Sequence, residues 1–92
     1  MKRSVFVNQG VILQEVAGQY FLFNTLDGHF GGLNELGMTI WKAIIDSKSI
    51  ESIIALIATD YDISINEIED DVLSFIEDLK ERGFIYYEEG VG

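Results

Sequence analysis

The stretch Leu33-Asn34-Glu35-Leu36-Gly37-Met38-Thr39-Ile40-Trp41 marks the point at which the sequence changes from a strand pattern to a helix pattern. Before it, short runs of branched and aromatic residues alternate with glycine-containing turns, which is typical of antiparallel strands. Within it, Asn34 can cap a helix, because its side-chain oxygen accepts hydrogen bonds from the free N–H groups of the first turn. The sequence therefore predicts strands up to Leu33 and helices after it.

Four apolar runs precede this change of pattern and predict strands at Val5–Val7, Val11–Val16, Tyr20–Asn24 and His29–Leu33. Two tight-turn dipeptides, Ala17-Gly18 and Asp27-Gly28, separate the last three runs. We expect these three runs to form a small antiparallel three-stranded sheet, with the first run as an edge strand.

Three helices are predicted after the sheet. Asn34 starts the first, a break follows at Ser47–Ser49, and Ser49 caps the second. The third has the clearest start, because Ser64 and Glu67 have the spacing of a capping box. Strands followed by helices indicate the α+β class.

The third helix carries a wide apolar stripe and ends at Gly83, a residue type that often follows a helix. The stripe consists of Ile65, Ile68, Val72, Leu73, Phe75, Ile76 and Leu79. An arc of this width can pack on a core with one edge and line a groove with the other, and the sequence leaves open which edge does which. Beyond the helix, Phe84–Tyr87 predicts a short strand or an extended cover, and Glu88–Gly92 a frayed tail.

Composition predicts one domain whose partner is not a polyanion. The chain has 92 residues, 48% of them hydrophobic, and no Cys, so it can bury a modest core but has no disulfide framework. The net charge is −10, and from Asp60 onward eleven acids face only Lys80 and Arg82, which disfavours nucleic acid and anionic membranes. With no signal peptide and no apolar run of about 18 residues, a cytoplasmic protein is expected.

No set of residues has the pattern of a catalytic or metal site. His29 is the only histidine, and one His without Cys does not form a usual zinc site, so we interpret it as a strand residue near a turn. Four clustered acids lie on a helical pattern, which favours a solvated face over a Ca²⁺ loop: Glu67, Glu69, Asp70 and Asp71. We therefore expect a non-catalytic protein without metal or cofactor.

Gly31-Gly32 in the last predicted strand admits two interpretations. The pair can reflect turn chemistry and a weakly packed strand. Glycine within a strand can also mark close approach by another backbone, so this strand could accept an added peptide strand.

Together these motifs resemble the PqqD-like family, whose members recognise the leader peptides of ribosomally made, modified peptides. The resemblance runs from about residue 10 to residue 87 and rests on the order and spacing of several short elements. These are Asp27-Gly28, Leu33-Asn34, Gly37, Ile40-Trp41, Ser49, Ile53, Tyr61, Asp71-Val72, Phe75-Ile76, Leu79 and Gly83-Phe84-Ile85. The resemblance implies a winged helix-turn-helix domain, with a small sheet packed on three helices.

The resemblance also implies where a peptide would bind. In the family, the leader adds a strand to the sheet edge and packs its side chains against the third helix. Carried onto this sequence, the implied peptide-binding residues are His29, Phe30, Gly31, Gly32 and Leu33 on the strand, and Asp71, Val72, Phe75, Ile76 and Leu79 on the helix. Asp71 and Asp78 would steer a basic leader segment.

The implied partners are a precursor leader peptide and a separate enzyme. The family occurs both alone and fused to modification enzymes, and the length of this sequence predicts a stand-alone member. The short length and the spacing of the motifs favour a lasso-peptide pathway with a leader peptidase, while a partner of the radical SAM type or another modifying enzyme is the alternative. A winged-helix DNA-binding regulator would share the fold, but the acidic balance argues against it.

Overall fold

Five strands and three helices make up residues 3–46 and 49–89, the part of the chain that the computed structural model describes. In chain order they are β1 (Arg3–Val7), β2 (Val11–Val16), β3 (Gln19–Asn24), β4 (Phe30–Leu33), α1 (Glu35–Ile45), α2 (Ile50–Asp60), α3 (Ile65–Glu81) and β5 (Ile85–Glu89). This order confirms the predicted α+β winged helix-turn-helix class. Parts of two predictions lie outside the described residues. These are the predicted break at Ser47 and Lys48 and the predicted tail from Gly90 to Gly92.

The predicted meander is present as the antiparallel sheet β2-β3-β4, with β4 at one edge. Leu22 pairs with Gly31 and Tyr20 with Leu33, which sets the register of β4 against the central strand. The strand is one residue shorter than predicted, because it begins at Phe30. In the described part of the chain, no strand pairs with the outer edge of β4.

The first and last strands form a separate two-stranded sheet. β1 pairs with β5 in antiparallel register, from Arg3 opposite Glu89 to Val7 opposite Ile85. The prediction of a frayed tail from Glu88 was therefore wrong for Glu88 and Glu89, which lie in β5. Backbone pairing with the other end of the chain holds these polar residues in place, and a local pattern carries no signal for such pairing.

All three helix starts are the predicted ones. The side chain of Asn34 accepts from the N–H of Gly37 at 2.7 Å, and Ser49 and Ser64 accept in the same way at the second and third helices. At the far end of α3, Gly83 has a φ of +83°, a conformation that costs glycine little. These local bonds fix where each helix begins and where α3 gives way to β5.

The core joins both sheets to all three helices. Helix α1 contributes Trp41, which is 2% exposed, while Leu22 on β3 is fully buried. Helix α3 buries Ile68, Val72, Ile76 and Leu79. Phe84, three residues beyond the last residue of α3, is also buried. Leu22, Leu79 and Phe84 thus lie beneath the junction between the three-stranded sheet and α3.

Candidate functional site

A narrow cleft of about 30 Å³ lies between the edge strand β4 and helix α3. Its lining residues are Leu22, Gly31, Gly32, Leu33, Phe75, Asp78, Leu79, Arg82 and Phe84. The buried side chains of Leu22, Leu79 and Phe84 give it an apolar floor. Asp78 and Arg82 give it a charged rim. The cleft is therefore apolar at depth and polar at its mouth, as specific binding sites usually are.

The backbone of β4 has hydrogen-bonding groups directed away from the sheet. The N–H of Asn24 bonds to the carbonyl of His29 at 2.8 Å, so this is a hydrogen-bonded pair. Bonded and non-bonded pairs alternate along an antiparallel ladder, so Gly31 is bonded to β3. The N–H and C=O groups of Phe30 and Gly32 then face outward. An extended peptide could form a regular ladder with these groups.

Gly31 gives the cleft its shape at the strand. It pairs with buried Leu22, so the missing side chain would have faced α3. A Cβ at Gly31 would lie 3.1 Å from Nη1 of Arg82 and 3.8 Å from Cε2 of Phe84. Glycine here allows the Arg82 guanidinium to lie directly over the strand.

Gly37 on helix α1 leaves room for the Phe75 ring of α3. A Cβ at Gly37 would lie 3.0 Å from Cζ of Phe75 and 3.3 Å from Cδ2 of Leu33. The absence of a side chain at this position places the Phe75 ring beside Leu33. The aromatic wall of the cleft therefore depends on Gly37, a residue of α1 that does not itself line the cleft.

The charged rim is a single ion pair. Nε of Arg82 lies 3.1 Å from Oδ2 and 3.2 Å from Oδ1 of Asp78, one helical turn earlier. Both side chains are about half exposed, so water screens their attraction and the pair is free to rearrange. The four acids clustered near the start of α3 are all exposed: Glu67, Glu69, Asp70 and Asp71.

The cleft includes five of the ten predicted peptide-binding residues, namely Gly31, Gly32, Leu33, Phe75 and Leu79. Val72 and Ile76 are fully buried and contribute to the core instead of the cleft. Asp71 is exposed on α3 but does not line the cleft, and the Phe30 side chain is 67% exposed.

His29 precedes β4 and belongs to the turn. Its backbone N–H bonds to Oδ1 of Asp27 at 2.9 Å, and its Nδ1 lies 3.3 Å from Oδ2 of the same residue. This Asx-type arrangement stabilises the hairpin between β3 and β4. The ring is exposed, and the geometry gives it a structural role.

Sequence reasoning left three cleft residues out of the predicted site, Leu22, Arg82 and Phe84, and gave a fourth, Asp78, only a steering role. Alternation along β3 gives a usable signal for Leu22, because Tyr20, Leu22 and Asn24 share one face. Asp78 and Arg82 have the spacing of an i,i+4 helix pair, which is also visible in the sequence.

A second, wider hollow of about 370 Å³ lies between α1 and the strands β1 and β2. Its lining is almost wholly apolar and consists of Val5, Phe6, Val7, Val11, Leu13, Trp41, Ile44 and Ile45. The buried Nε1 of Trp41 has no hydrogen-bond partner among the described residues. This hollow is a further apolar surface in the described part of the chain.

Two kinds of feature are absent from residues 3–46 and 49–89, the described part of the chain. No group of three or more His, Asp or Glu residues in this part of the chain is arranged to hold a metal ion. No helix there is long and apolar enough to cross a membrane.

Three helices beside a small sheet with a free edge define a winged helix-turn-helix domain of the α+β class. The sequence matches the family model described as coenzyme PQQ synthesis protein D (PqqD) over residues 9–85. The chain therefore belongs to the PqqD family, which confirms the resemblance seen in the sequence. No curated protein matches the sequence.

Two solved structures share the fold over nearly the whole chain. One is TbiB1 in complex with the TbiA(beta) leader peptide, at 23% identity and a TM-score of 0.77, covering 100% of this chain and 99% of that one. The other is a lasso peptide synthetase B1 complexed with the leader peptide, at 17% identity and a TM-score of 0.78, covering 89% of this chain and 96% of that one. At these identities the likeness establishes the architecture.

Proposed function

We propose that this protein is a non-catalytic recognition domain that binds the leader segment of a ribosomally synthesised precursor peptide. The observation that carries the proposal is the cleft between β4 and α3, where an unpaired strand edge runs beside an apolar floor. Two solved structures with this fold, TbiB1 and a lasso peptide synthetase B1, are complexes with leader peptides, which supports leader binding by this chain.

The binding mode follows from the directions of the groups in β4. A leader strand would pair with the outward N–H and C=O groups of Phe30 and Gly32, which supplies affinity without reading side chains. Alternate leader side chains would point towards α3, where Leu33, Phe75 and Leu79 offer apolar contact. The backbone ladder would thus supply affinity, and the apolar cleft would supply specificity for the leader side chains.

The bound leader would then be delivered to a separate processing enzyme. We favour a leader peptidase of a lasso-peptide pathway, because both structural relatives are leader-peptide complexes and one is a lasso peptide synthetase component. The family description, coenzyme PQQ synthesis, supports a second candidate, a chaperone that presents a peptide to a radical SAM enzyme. Ribosomes release precursor peptides into the cytoplasm, so we place this activity there.

A winged-helix regulator that binds DNA is disfavoured by charge. A recognition helix needs Lys and Arg to neutralise phosphates. Helix α3 instead exposes Glu67, Glu69, Asp70 and Asp71, and the whole chain has a net charge of −10. A gel shift at low ionic strength, where non-specific binding is strongest, is expected to detect no complex with duplex DNA.

Calorimetry with two synthetic halves of the precursor peptide from the same gene cluster tests the proposal. We expect the leader half to bind with a dissociation constant in the micromolar range or tighter, and the core half not to bind. Equal binding of both halves, or of neither, would refute leader recognition. Binding that survives Gly32→Pro but is lost on Ile45→Glu would move the peptide to the hollow around Trp41.

A further inference from the structure

Strand addition at β4 leaves the register of the peptide undefined. Main-chain hydrogen bonds are the same for every residue, and a slip by two residues restores both the bonds and the facing of the side chains. Strand β4 has four residues, so its backbone alone provides little that would fix the register of the peptide. Some side chain in the cleft must therefore distinguish one register from the next.

The position opposite Gly31 is the most distinctive point along the edge. A peptide residue there would point its side chain towards α3, into the space that Gly31 leaves unfilled. That space is occupied at its mouth by Arg82, whose Nη1 lies 3.1 Å from where a Gly31 Cβ would be. A peptide side chain opposite Gly31 would meet this guanidinium directly.

Arg82 is the only cationic residue among those lining the cleft. Its Nε is bonded to Asp78, while in the described part of the chain neither Nη atom has a hydrogen bond. A guanidinium holds five donors in a fixed fork, so the two Nη groups can donate hydrogen bonds to a second carboxylate. Lys80 does not compete, because it pairs with Glu77 at 3.9 Å and lies over the Tyr87 ring at 4.8 Å.

We propose that Arg82 sets the register of the bound peptide by binding one Asp or Glu side chain at the position opposite Gly31. This inference rests on the proposed function. Asp78, the other charged residue that lines the cleft, is acidic, so a peptide carboxylate placed nearer to Asp78 than to Arg82 would be repelled. The favoured leader segment thus carries one acidic residue within an otherwise neutral or basic strand.

The size of the cleft sets the movement that binding requires. At about 30 Å³ it is too small for a side chain while Arg82 lies across Gly31. The Arg82 side chain is about half exposed, so its guanidinium can turn outward and meet the incoming carboxylate at the rim. The peptide carboxylate then binds the Arg82 guanidinium on the side that faces away from Asp78.

A positional-scanning library of acetylated, amidated decapeptides provides the test. In each sub-library one position is fixed and the others are mixed, and binding is measured with the wild-type protein and with Arg82→Ala, Arg82→Glu and Lys80→Glu. We expect wild type to prefer Asp and Glu at one position by about tenfold, which is about 1.4 kcal/mol. Arg82→Ala should abolish that preference. Arg82→Glu should change it to a preference for Lys and Arg at the same position. Lys80→Glu should leave the preference for Asp and Glu unchanged.

The possible failures can be told apart. In one outcome, peptides bind the wild type without an acidic preference, and Gly32→Pro abolishes this binding. That outcome would overturn the role of Arg82 alone. An acidic preference that persists in Arg82→Ala would also overturn it. Absence of any peptide binding would overturn the proposed function, and this inference with it. If Arg82→Ala does not fold, Arg82→Gln, which retains the side-chain length without the charge, gives the same comparison.

Discussion

Cζ of Phe75 on α3 lies 3.0 Å from the point that a Cβ on Gly37 of α1 would occupy. The Phe75 side chain packs on α1 here and leaves no room for an added methyl group. The same Phe75 ring forms a wall of the cleft beside β4. Helix packing and the shape of the candidate site are therefore determined at one contact.

Gly37→Ala should destabilise the protein, although Ala favours a helix over Gly by about 1 kcal/mol. The added methyl group would press on Phe75, on Leu33 and on the capping oxygen of Asn34, and overpacking of this kind costs about 1–3 kcal/mol. We expect a net loss of about 1 kcal/mol in a chemical denaturation experiment.

A double-mutant cycle controls for the helix effect. In a Phe75→Leu background the ring is gone while the close approaches to Leu33 and to the Asn34 oxygen remain, so Gly37→Ala should cost less stability than it does in the wild type. An equal loss of stability in both backgrounds would contradict a direct contact between these two residues.

Gly32→Pro should weaken leader binding by about tenfold while the domain remains folded. The N–H of Gly32 faces away from β3, so proline removes a donor that only an added strand would use. Gly32→Ala is the matched control, because it keeps the N–H and its Cβ would lie an ordinary 3.6 Å from Cε1 of Phe21. Calorimetry with the leader peptide, with a melting curve for each variant, measures both properties. Full-strength binding by a folded Gly32→Pro protein would exclude strand addition at this edge.

Phe75→Ala and Val72→Ala should separate the cleft from the core. Phe75 is partly exposed and lines the cleft, so its removal should cost both affinity and stability, the latter by about 2 kcal/mol. Val72 is fully buried and does not line the cleft, so its truncation should cost a similar amount of stability but leave the affinity of the folded protein unchanged. Denaturation and calorimetry on both variants make the comparison, and an affinity loss confined to Val72→Ala would reverse the assignment.

His29→Ala should change leader affinity by less than about threefold. The bond to Asp27 that stabilises the hairpin comes from the backbone N–H of His29 and survives the substitution. Asp27→Ala removes the acceptor and should lower stability by about 0.5–1.5 kcal/mol. A binding titration and a thermal melt distinguish the two. A large effect of His29→Ala alone would give the imidazole a direct role in binding.

The isolated protein should not turn over a precursor peptide but should raise kcat/KM of the processing enzyme from the same gene cluster. Holding the leader increases the effective concentration of the core near that enzyme. The rise should vanish with a core peptide that lacks the leader, and Glu88→Lys, an exposed charge change away from the cleft, should not affect it. Cleavage or modification of the precursor by the isolated chain would contradict the assignment as a recognition domain.

The local part of the fold could be predicted from the sequence because its determinants are local. Helix caps at Asn34, Ser49 and Ser64 each depend on residues within a few positions, and all three are found where predicted. The pairing of β1 with β5 joins the two ends of the chain, and neither strand contains a signal for the other. This is why the terminal residues were predicted as a tail.

The candidate site was predictable to a smaller extent, because one helical stripe serves two purposes. Val72, Phe75 and Ile76 are indistinguishable by spacing, yet Phe75 reaches the cleft while the other two enter the core. The rotation of α3 against β4 decides between them, and tertiary packing sets that rotation. The reach of Arg82 across Gly31 depends on the same geometry.

The antiparallel register of Arg3 with Glu89 brings the two ends of the described chain side by side. Neighbouring strands lie only about 5 Å apart, so a short linker could join these ends, and new ends could be opened at the hairpin around Gly18. A circular permutant of this kind should fold. For the same reason, a second protein attached to either end would be tethered at nearly the same point, so the order of the two modules in a fusion would hardly alter their spacing.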